Sequence, residues 1–384
     1  MFHEKAFVRF QLHPELFESM YRRRLYDFLN VMGPTIEYLM VHMDVKSDGV
    51  FLNEHLESIH FDKLRAFSFV DRRRPHTSSD FQSQTLLNHI VSNANDTLEY
   101  LSVLIPREPA FDFAEKELQI IHVLQSNSLS RLKYLKLDMV VTDKMLETLS
   151  SLRLRLKGFH LSIGASHFQQ ILLTDFLRKQ RDFLEELQLT DFYRRSTLTV
   201  QLPKNMYKLR SLEIHGFELP AHFVSFPNFS YEQCTPALSK VLLKTWAPTS
   251  DWEVFMPKLN VVNNTVVHLS LAMNFDDPNL MARVAKGFTH LRKLEMYFSR
   301  ASTSTIEVVF KNMTKLEELT LHQSYLGEIS TDYIDDVLTG LTARECQWIR
   351  KNKAYAMVDL HQAQNRAGLV NLESMRSFNN MIFQ

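Results

Sequence analysis

Residues 132–149 read LKYLKLDMVVTDKMLETL, and this stretch determines the fold that the sequence predicts. It opens on an apolar-x-x-apolar-x-apolar pattern whose apolar positions are Leu132, Leu135 and Leu137. Alternation of apolar and polar residues is typical of a strand with one buried face. From Thr142 to Leu149 the apolar spacing becomes helical. The stretch therefore predicts one short strand, a turn and one amphipathic helix.

The same pattern recurs along most of the chain, which indicates an internal repeat. Eleven copies occur, and their first positions are 24 to 34 residues apart. A lone strand–helix unit cannot bury its apolar face, so neighbouring units must stack. We predict an α/β fold, a solenoid shaped as a horseshoe with a parallel β-sheet on its concave side and helices on its convex side. The first apolar positions are Ile36, Leu64, Leu98, Leu132, Leu156, Leu184, Leu209, Leu238, Val266, Leu291 and Leu316.

The repeats resemble the long, helix-bearing leucine-rich repeats of ribonuclease inhibitor and, more closely, those of F-box leucine-rich-repeat proteins. The resemblance covers roughly residues 34–341 and rests on the repeat pattern. It implies that the repeats hold a protein substrate, while an F-box docks to the linker subunit of a cullin–RING ubiquitin ligase. No F-box is visible in this sequence, although Leu12-His-Pro14-Glu15 echoes the opening of one, so the box is expected either to lie upstream, where it would bind the linker subunit, or to have been lost. A box-less scaffold or a stoichiometric inhibitor is the alternative function.

The repeat pattern also predicts how the chain is organised. Residues 1–33 are expected to form an N-terminal capping region, with a helix over 15–32 that stops at Gly33-Pro34. Residues 34–341 form the repeat domain, and residues 342–384 form a C-terminal cap with a possible strand at 369–372. In one repeat, Asp277 and Pro278 predict the beginning of a helix.

Composition and motifs exclude several classes of function. The chain has 44 Lys+Arg against 44 Asp+Glu, so no net field gathers nucleic acid. Two cysteines cannot build a disulfide framework or a cysteine-based zinc site, and they suit a reducing compartment. Phosphate-binding loops and hydrolase or metalloprotease motifs do not occur. We therefore predict a cytoplasmic or nuclear protein with no enzymatic activity, no cofactor, no metal, and neither nucleic acid nor membrane as a partner.

The strand residues that alternate with the core predict where a partner binds. Positions 3, 5 and 7 of each copy are expected to project from the concave sheet. Nine of these 33 positions are Tyr or His, whereas the chain holds 12 Tyr and 16 His in 384 residues. Tyr anchors and a nearly neutral charge favour protein recognition, although Tyr is also common in solvated strands. The candidate partner-binding residues are Tyr38, Tyr100, Tyr134, His160, His215, Lys244, Tyr297 and His322.

Overall fold

The structure is a computed structural model of the 384-residue chain. Its contacts divide the chain into two compact units, Met1–Tyr193 and Arg194–Gln384. The division lies inside the predicted repeat domain, whose boundaries at 33/34 and 341/342 stay predictions. The structure describes residues 9–12, 22–43, 59–72, 80–105, 113–127, 129–163, 169–191, 202–216, 234–244, 262–272, 278–298, 308–309, 311–323 and 355–359.

The first unit is built on parallel strands that follow one another in chain order. Each strand is hydrogen-bonded to the next one along the chain. Parallel neighbours require a crossover connection, and a helix is described in each connection of this unit except the one from β2 to β3. The strands are β1 (Arg9–Leu12), β2 (Tyr38–Met43), β3 (Ala66–Asp71), β4 (Tyr100–Leu104), β5 (Tyr134–Val141), β6 (Gly158–Ile163) and β7 (Glu186–Asp191).

The second unit repeats this arrangement. Its described strands are again parallel and paired in chain order. They are β8 (Ser211–Gly216), β9 (Lys240–Lys244), β10 (His268–Ala272), β11 (Lys293–Phe298), β12 (Glu318–Gln323) and β13 (Tyr355–Asp359).

The helices lie in the connections between strands. In the first unit, helices that are consecutive from α2 to α5 contact one another, and both α3 and α4 contact β5. The fold is thus α/β with parallel sheets, as predicted, and it is consistent with stacked strand–helix repeats. The helices are α1 (Arg22–Met32), α2 (Asp80–Asn93), α3 (Phe113–Ser126), α4 (Asp143–Ser151), α5 (Gln170–Gln180) and α6 (Pro278–Gly287).

The core consists of the residues that the repeat pattern singles out. The first and fourth positions of all eleven copies are at most 2% exposed. In the copy quoted above these are Leu132 and Leu135. Because a close-packed interior responds to the loss of a single methylene, these positions fix the register of each strand.

Several local predictions are confirmed, and others fall outside the described residues. Helix α6 begins at Pro278, and the N-terminal helix ends at Met32, where a 3₁₀ turn over Gly33–Thr35 follows. Gly33 is needed there for close approach, since a Cβ on it would lie 2.5 Å from the carbonyl oxygen of His60. The possible strand at 369–372 lies outside the described residues, as do residues 15–21 of the predicted N-terminal helix.

Two strands were missed by sequence reasoning, one at each end of the described chain. Strand β1 adds to β2, with Phe10 opposite Leu39 and Leu12 opposite Val41. Strand β13 adds to β12 in the same way. The regions that were predicted as caps therefore each contribute a strand to a sheet.

Candidate functional site

We use the term polar sheet face for the side of each sheet that carries positions 3, 5 and 7 of the repeats. Strand β2 shows the alternation clearly: Leu39, Val41 and Met43 are buried, whereas Tyr38, Met40 and His42 between them are partly exposed. Strand register then places equivalent positions of neighbouring strands side by side. In the first unit the position-3 row reads Tyr38, Ala66, Tyr100, Tyr134, Gly158 and Glu186.

The central feature of this row is a pair of tyrosines on adjacent strands. The ring centroids of Tyr100 and Tyr134 are 6.5 Å apart, and the rings are inclined by 39°. Both side chains are partly exposed. Aromatic pairs of this geometry stabilise neighbouring strands and present a large, rigid surface to solvent.

Small neighbours accommodate the pair on either side. A Cβ added to Gly158 would lie 2.4 Å from Cδ1 of Tyr134, so the Tyr134 ring occupies the space that a side chain would take. On the other side, Ala66 stands between Tyr38 and Tyr100 in the row. Because Gly158 carries no side chain, Tyr134 can lean towards β7.

Glu186 on β7 ends the position-3 row, on the side of Tyr134 where Gly158 lies. Burial raises the pKa of Tyr134, and the negative charge of Glu186 raises it further. Glu186 is exposed, and among the described residues its carboxylate has no hydrogen-bond or ion-pair partner, while its backbone N–H donates to the Lys157 carbonyl. The row thus ends in an aromatic surface next to a carboxylate that none of the described residues pairs with.

Charged residues that directly precede neighbouring strands form ion pairs with one another. The Glu99 carboxylate accepts hydrogen bonds from Arg65 at 2.9 Å and from Lys133 at 2.8 Å. Burial alone would raise the pKa of Glu99, but these two cations lower it below its ordinary value. Farther along, the Lys157 ammonium lies 3.0 Å from Glu185. These charges stabilise one another across neighbouring strands.

In the second unit the polar sheet face is more strongly charged. Glu213 lies 3.4 Å from Nε2 of His215 and 2.8 Å from the Lys240 ammonium. The hydrogen bond from His215 is the main cause that lowers the pKa of Glu213 to about 2, and Lys240 adds to it against the opposing effect of burial.

An equivalent cluster lies farther along the same sheet. Glu295 lies 3.2 Å from Nε2 of His268 and 3.0 Å from the Lys293 ammonium. The His268 contact is the main cause that lowers the pKa of Glu295 to about 2. Lys293 also donates to Glu318 at 2.7 Å, so one ammonium joins two carboxylates. Carboxylates and cations neutralise each other across these strands.

Several position-5 residues are covered rather than exposed. Ser68, Ser102, Ser270 and Thr320 are buried although they alternate with the core positions. The Ser270 hydroxyl has no hydrogen-bond partner among the described residues, and the side chain is 0% exposed. This hydroxyl is closed to solvent, and none of the described residues offers it the hydrogen-bonded base that would activate a nucleophile.

The structure brings the predicted site residues together in two groups. In the first unit, Tyr38, Tyr100 and Tyr134 share the position-3 row, and His160 lies in the next row with its Nε2 3.5 Å from the Thr190 hydroxyl. In the second unit, backbone register places the remaining four in one row. That row reads His215, Lys244, Ala272, Tyr297 and His322.

Sequence reasoning missed two buried polar contacts near the carboxyl ends of strands. The Lys116 ammonium on α3 lies 2.7 Å from Asp71 at the end of β3, and the two side chains are 3% and 2% exposed. The next residue, Glu117, accepts hydrogen bonds from the amide (2.6 Å) and the hydroxyl (2.7 Å) of Thr142, which caps α4. Burial raises the pKa of Glu117 despite these bonds. Both contacts join residues that are distant in sequence, so the repeat pattern gave no signal of them.

The described residues also bear on metal binding and on membrane crossing. Within them, no three or more His, Cys, Asp or Glu side chains are grouped so that they could hold a metal ion. None of their helices is long and apolar enough to cross a membrane.

Comparisons with known proteins identify no family. No protein-family model matches the chain, and no curated protein matches it.

Proposed function

We propose that the chain is a leucine-rich-repeat protein, with about eleven irregular repeats in a horseshoe, and that it binds a protein partner on its polar sheet face without catalysing a reaction. The Tyr100–Tyr134 pair is the observation that carries this proposal. Tyr is among the residues that dominate binding energy at protein interfaces. It presents a large contact area and loses little conformational freedom on binding.

The charge pattern favours a protein over a nucleic acid as the partner. Nucleic-acid binding needs a continuous basic surface. Here Lys133 is neutralised by Glu99 and Lys240 by Glu213, so the basic groups of the face do not form a continuous stripe. A mixed surface of aromatic groups and paired charges is what protein interfaces use for specificity.

We further propose, from the resemblance to F-box leucine-rich-repeat proteins, that the bound partner is a substrate of a cullin–RING ubiquitin ligase. The chain would then act as the substrate receptor, in the cytoplasm or the nucleus. In the alternative, the chain acts as a scaffold or a stoichiometric inhibitor and binds its target outside any ligase.

A subtractive capture experiment tests protein binding. The tagged full-length chain and its Tyr100→Ala/Tyr134→Ala variant are each used to capture proteins from cells, and the captured proteins are identified by mass spectrometry. Tyr207→Ala serves as the matched control, because Tyr207 is 59% exposed and lies outside the strands. We expect proteins that the wild type and the control retain and that the double variant loses. Equal capture by all three baits would contradict the proposal.

The ligase role has its own test. The full-length protein, purified at natural abundance, is probed for the linker subunit and for a cullin. Their presence in stoichiometric amounts supports the receptor role. A complex that contains the captured partner and neither of these subunits would favour the scaffold or inhibitor role.

A further inference from the structure

The surface beside Tyr134 combines two features that suit the same chemical group. The partly exposed rings of Tyr100 and Tyr134 can attract a cation through their π electrons. Glu186 stands in the same row, separated from Tyr134 by Gly158, which carries no side chain. An aromatic face and a carboxylate on one side of a sheet complement a planar cation.

The carboxylates near this surface differ in whether they are available. Glu99 is held by Arg65 and Lys133, and Glu185 is held by Lys157. Glu186 is exposed, and none of the described residues pairs with it. Its carboxylate can therefore bind a charge from a partner without first breaking a contact with any of the described residues.

We infer that the partner binds this surface through an arginine-bearing segment, whose guanidinium stacks on the Tyr134 ring and donates hydrogen bonds to the Glu186 carboxylate. This inference rests on the proposed function and names the chemistry of its partner. A guanidinium is favoured over an ammonium because it is planar, stacks on aromatic rings and can bind a carboxylate through two parallel hydrogen bonds.

Lys136 offers a competing binding site of opposite charge on the same face. It lies two residues after Tyr134 on the same strand and face, and it too has no pairing partner among the described residues. An acidic segment bound to Lys136 is the competing arrangement. Replacing Lys136 by Gln should leave arginine binding intact, whereas replacing Glu186 by Gln should weaken it.

A peptide-binding experiment distinguishes arginine binding at Glu186 from binding of an acidic segment at Lys136. Random peptides displayed on phage are selected on the immobilised full-length chain, and the strongest binder is synthesised with each arginine intact or replaced by citrulline, its neutral isostere. Dissociation constants are measured by fluorescence anisotropy for the wild type, Glu186→Gln, Tyr134→Ala and Lys136→Gln, after circular dichroism has shown that each variant is folded.

We expect arginine-bearing peptides to be selected and citrulline to weaken binding to the wild type about tenfold or more, as one charge-assisted hydrogen bond would. On Glu186→Gln the same replacement should cost little, and Lys136→Gln should resemble the wild type. Selection of acidic peptides, failure to select any peptide, or equal binding of arginine and citrulline would overturn the inference. A further outcome is that arginine and citrulline peptides bind the wild type equally while Tyr134→Ala loses binding. That result would contradict only the inference about arginine and would still support the proposed partner binding on the polar sheet face.

Discussion

The ring of Tyr134 lies where a side chain at position 158 would otherwise be, since a Cβ added to Gly158 would come within 2.4 Å of Cδ1 of that ring. Strand register pairs the two residues directly across β5 and β6. The missing side chain is thus a condition for the orientation of the tyrosine. The aromatic surface that we propose as the binding site depends on both residues.

Gly158→Ala is expected to displace the Tyr134 ring and to lower the free energy of unfolding by about 1–3 kcal/mol, the usual cost of overpacking. The same substitution should weaken binding of the captured partner, although position 158 itself is buried. Urea unfolding and a titration with the partner measure the two effects.

A double-mutant cycle provides the control. In a Tyr134→Ala background the ring is gone, so Gly158→Ala should cost at least about 0.5 kcal/mol less than in the wild type. Equal costs in the two backgrounds would mean that the ring does not occupy this space.

Gly33→Ala is expected to destabilise the first unit through a different contact. Its Cβ would lie 2.5 Å from the carbonyl oxygen of His60, which is backbone and cannot rotate away as a side chain can. We expect a loss of about 1–3 kcal/mol in the free energy of unfolding. Hydrogen exchange should localise the loss to α1 and β2. An unchanged unfolding midpoint would show that Gly33 and the His60 backbone are not in close contact.

The buried Lys116–Asp71 pair predicts strong non-additivity. Asp71→Asn removes the negative charge 2.7 Å from the buried Lys116 ammonium, and breaking such a pair costs about 3–5 kcal/mol. Asp71→Leu combined with Lys116→Met removes both charges and should be much closer to the wild type in urea unfolding. If the double variant is as unstable as the sum of its two single variants, the pair is not coupled.

The carboxylates of the second unit predict acid sensitivity. The pKa values of Glu213 and Glu295 are lowered to about 2 in the folded protein, against an ordinary value of 4.5. Their contribution to stability is therefore present above pH 4.5 and is lost as the pH falls from 4.5 towards 2. After allowance for screening by solvent, about 1–2 kcal/mol each is expected.

Urea unfolding at several pH values measures this loss. Glu213→Gln/Glu295→Gln should be less stable than the wild type at pH 7 and should lose less stability between pH 4.5 and 2. Glu185→Gln is the comparison, because the Glu185–Lys157 pair is exposed to solvent and contributes little. If the free energy of unfolding depends on pH identically in the wild type and the double variant, Glu213 and Glu295 do not stabilise the folded protein through their lowered pKa values.

The sequence predicted the core and the strand register well, because both follow from periodicity. Leu132 and Leu135 are buried as the repeat pattern requires, and Pro278 begins a helix because its fixed φ suits that position. A tyrosine at position 3 of one repeat must lie beside position 3 of the next, so the Tyr100–Tyr134 neighbourhood was also accessible to sequence reasoning.

What the sequence could not predict depends on contacts between distant residues. Strands β1 and β13 are short, and each is a strand because a neighbour is present to pair with it. The burial of Ser270 depends on the side chains around it, and the Lys116–Asp71 pair spans 45 residues. Gly158 gave no signal of its own, since only the position of the Tyr134 ring shows why glycine is needed there.

Hydroxyl-radical footprinting of the full-length chain, with and without its captured partner, tests the central claim most directly. Oxidation of Tyr100 and Tyr134 is quantified by mass spectrometry, and Tyr207, which is 59% exposed, is the internal reference. A partner on the polar sheet face should reduce oxidation of Tyr100 and Tyr134 several-fold and leave Tyr207 unchanged. Unchanged oxidation of Tyr100 and Tyr134 in a saturated complex, with protection elsewhere on the chain, would contradict the account.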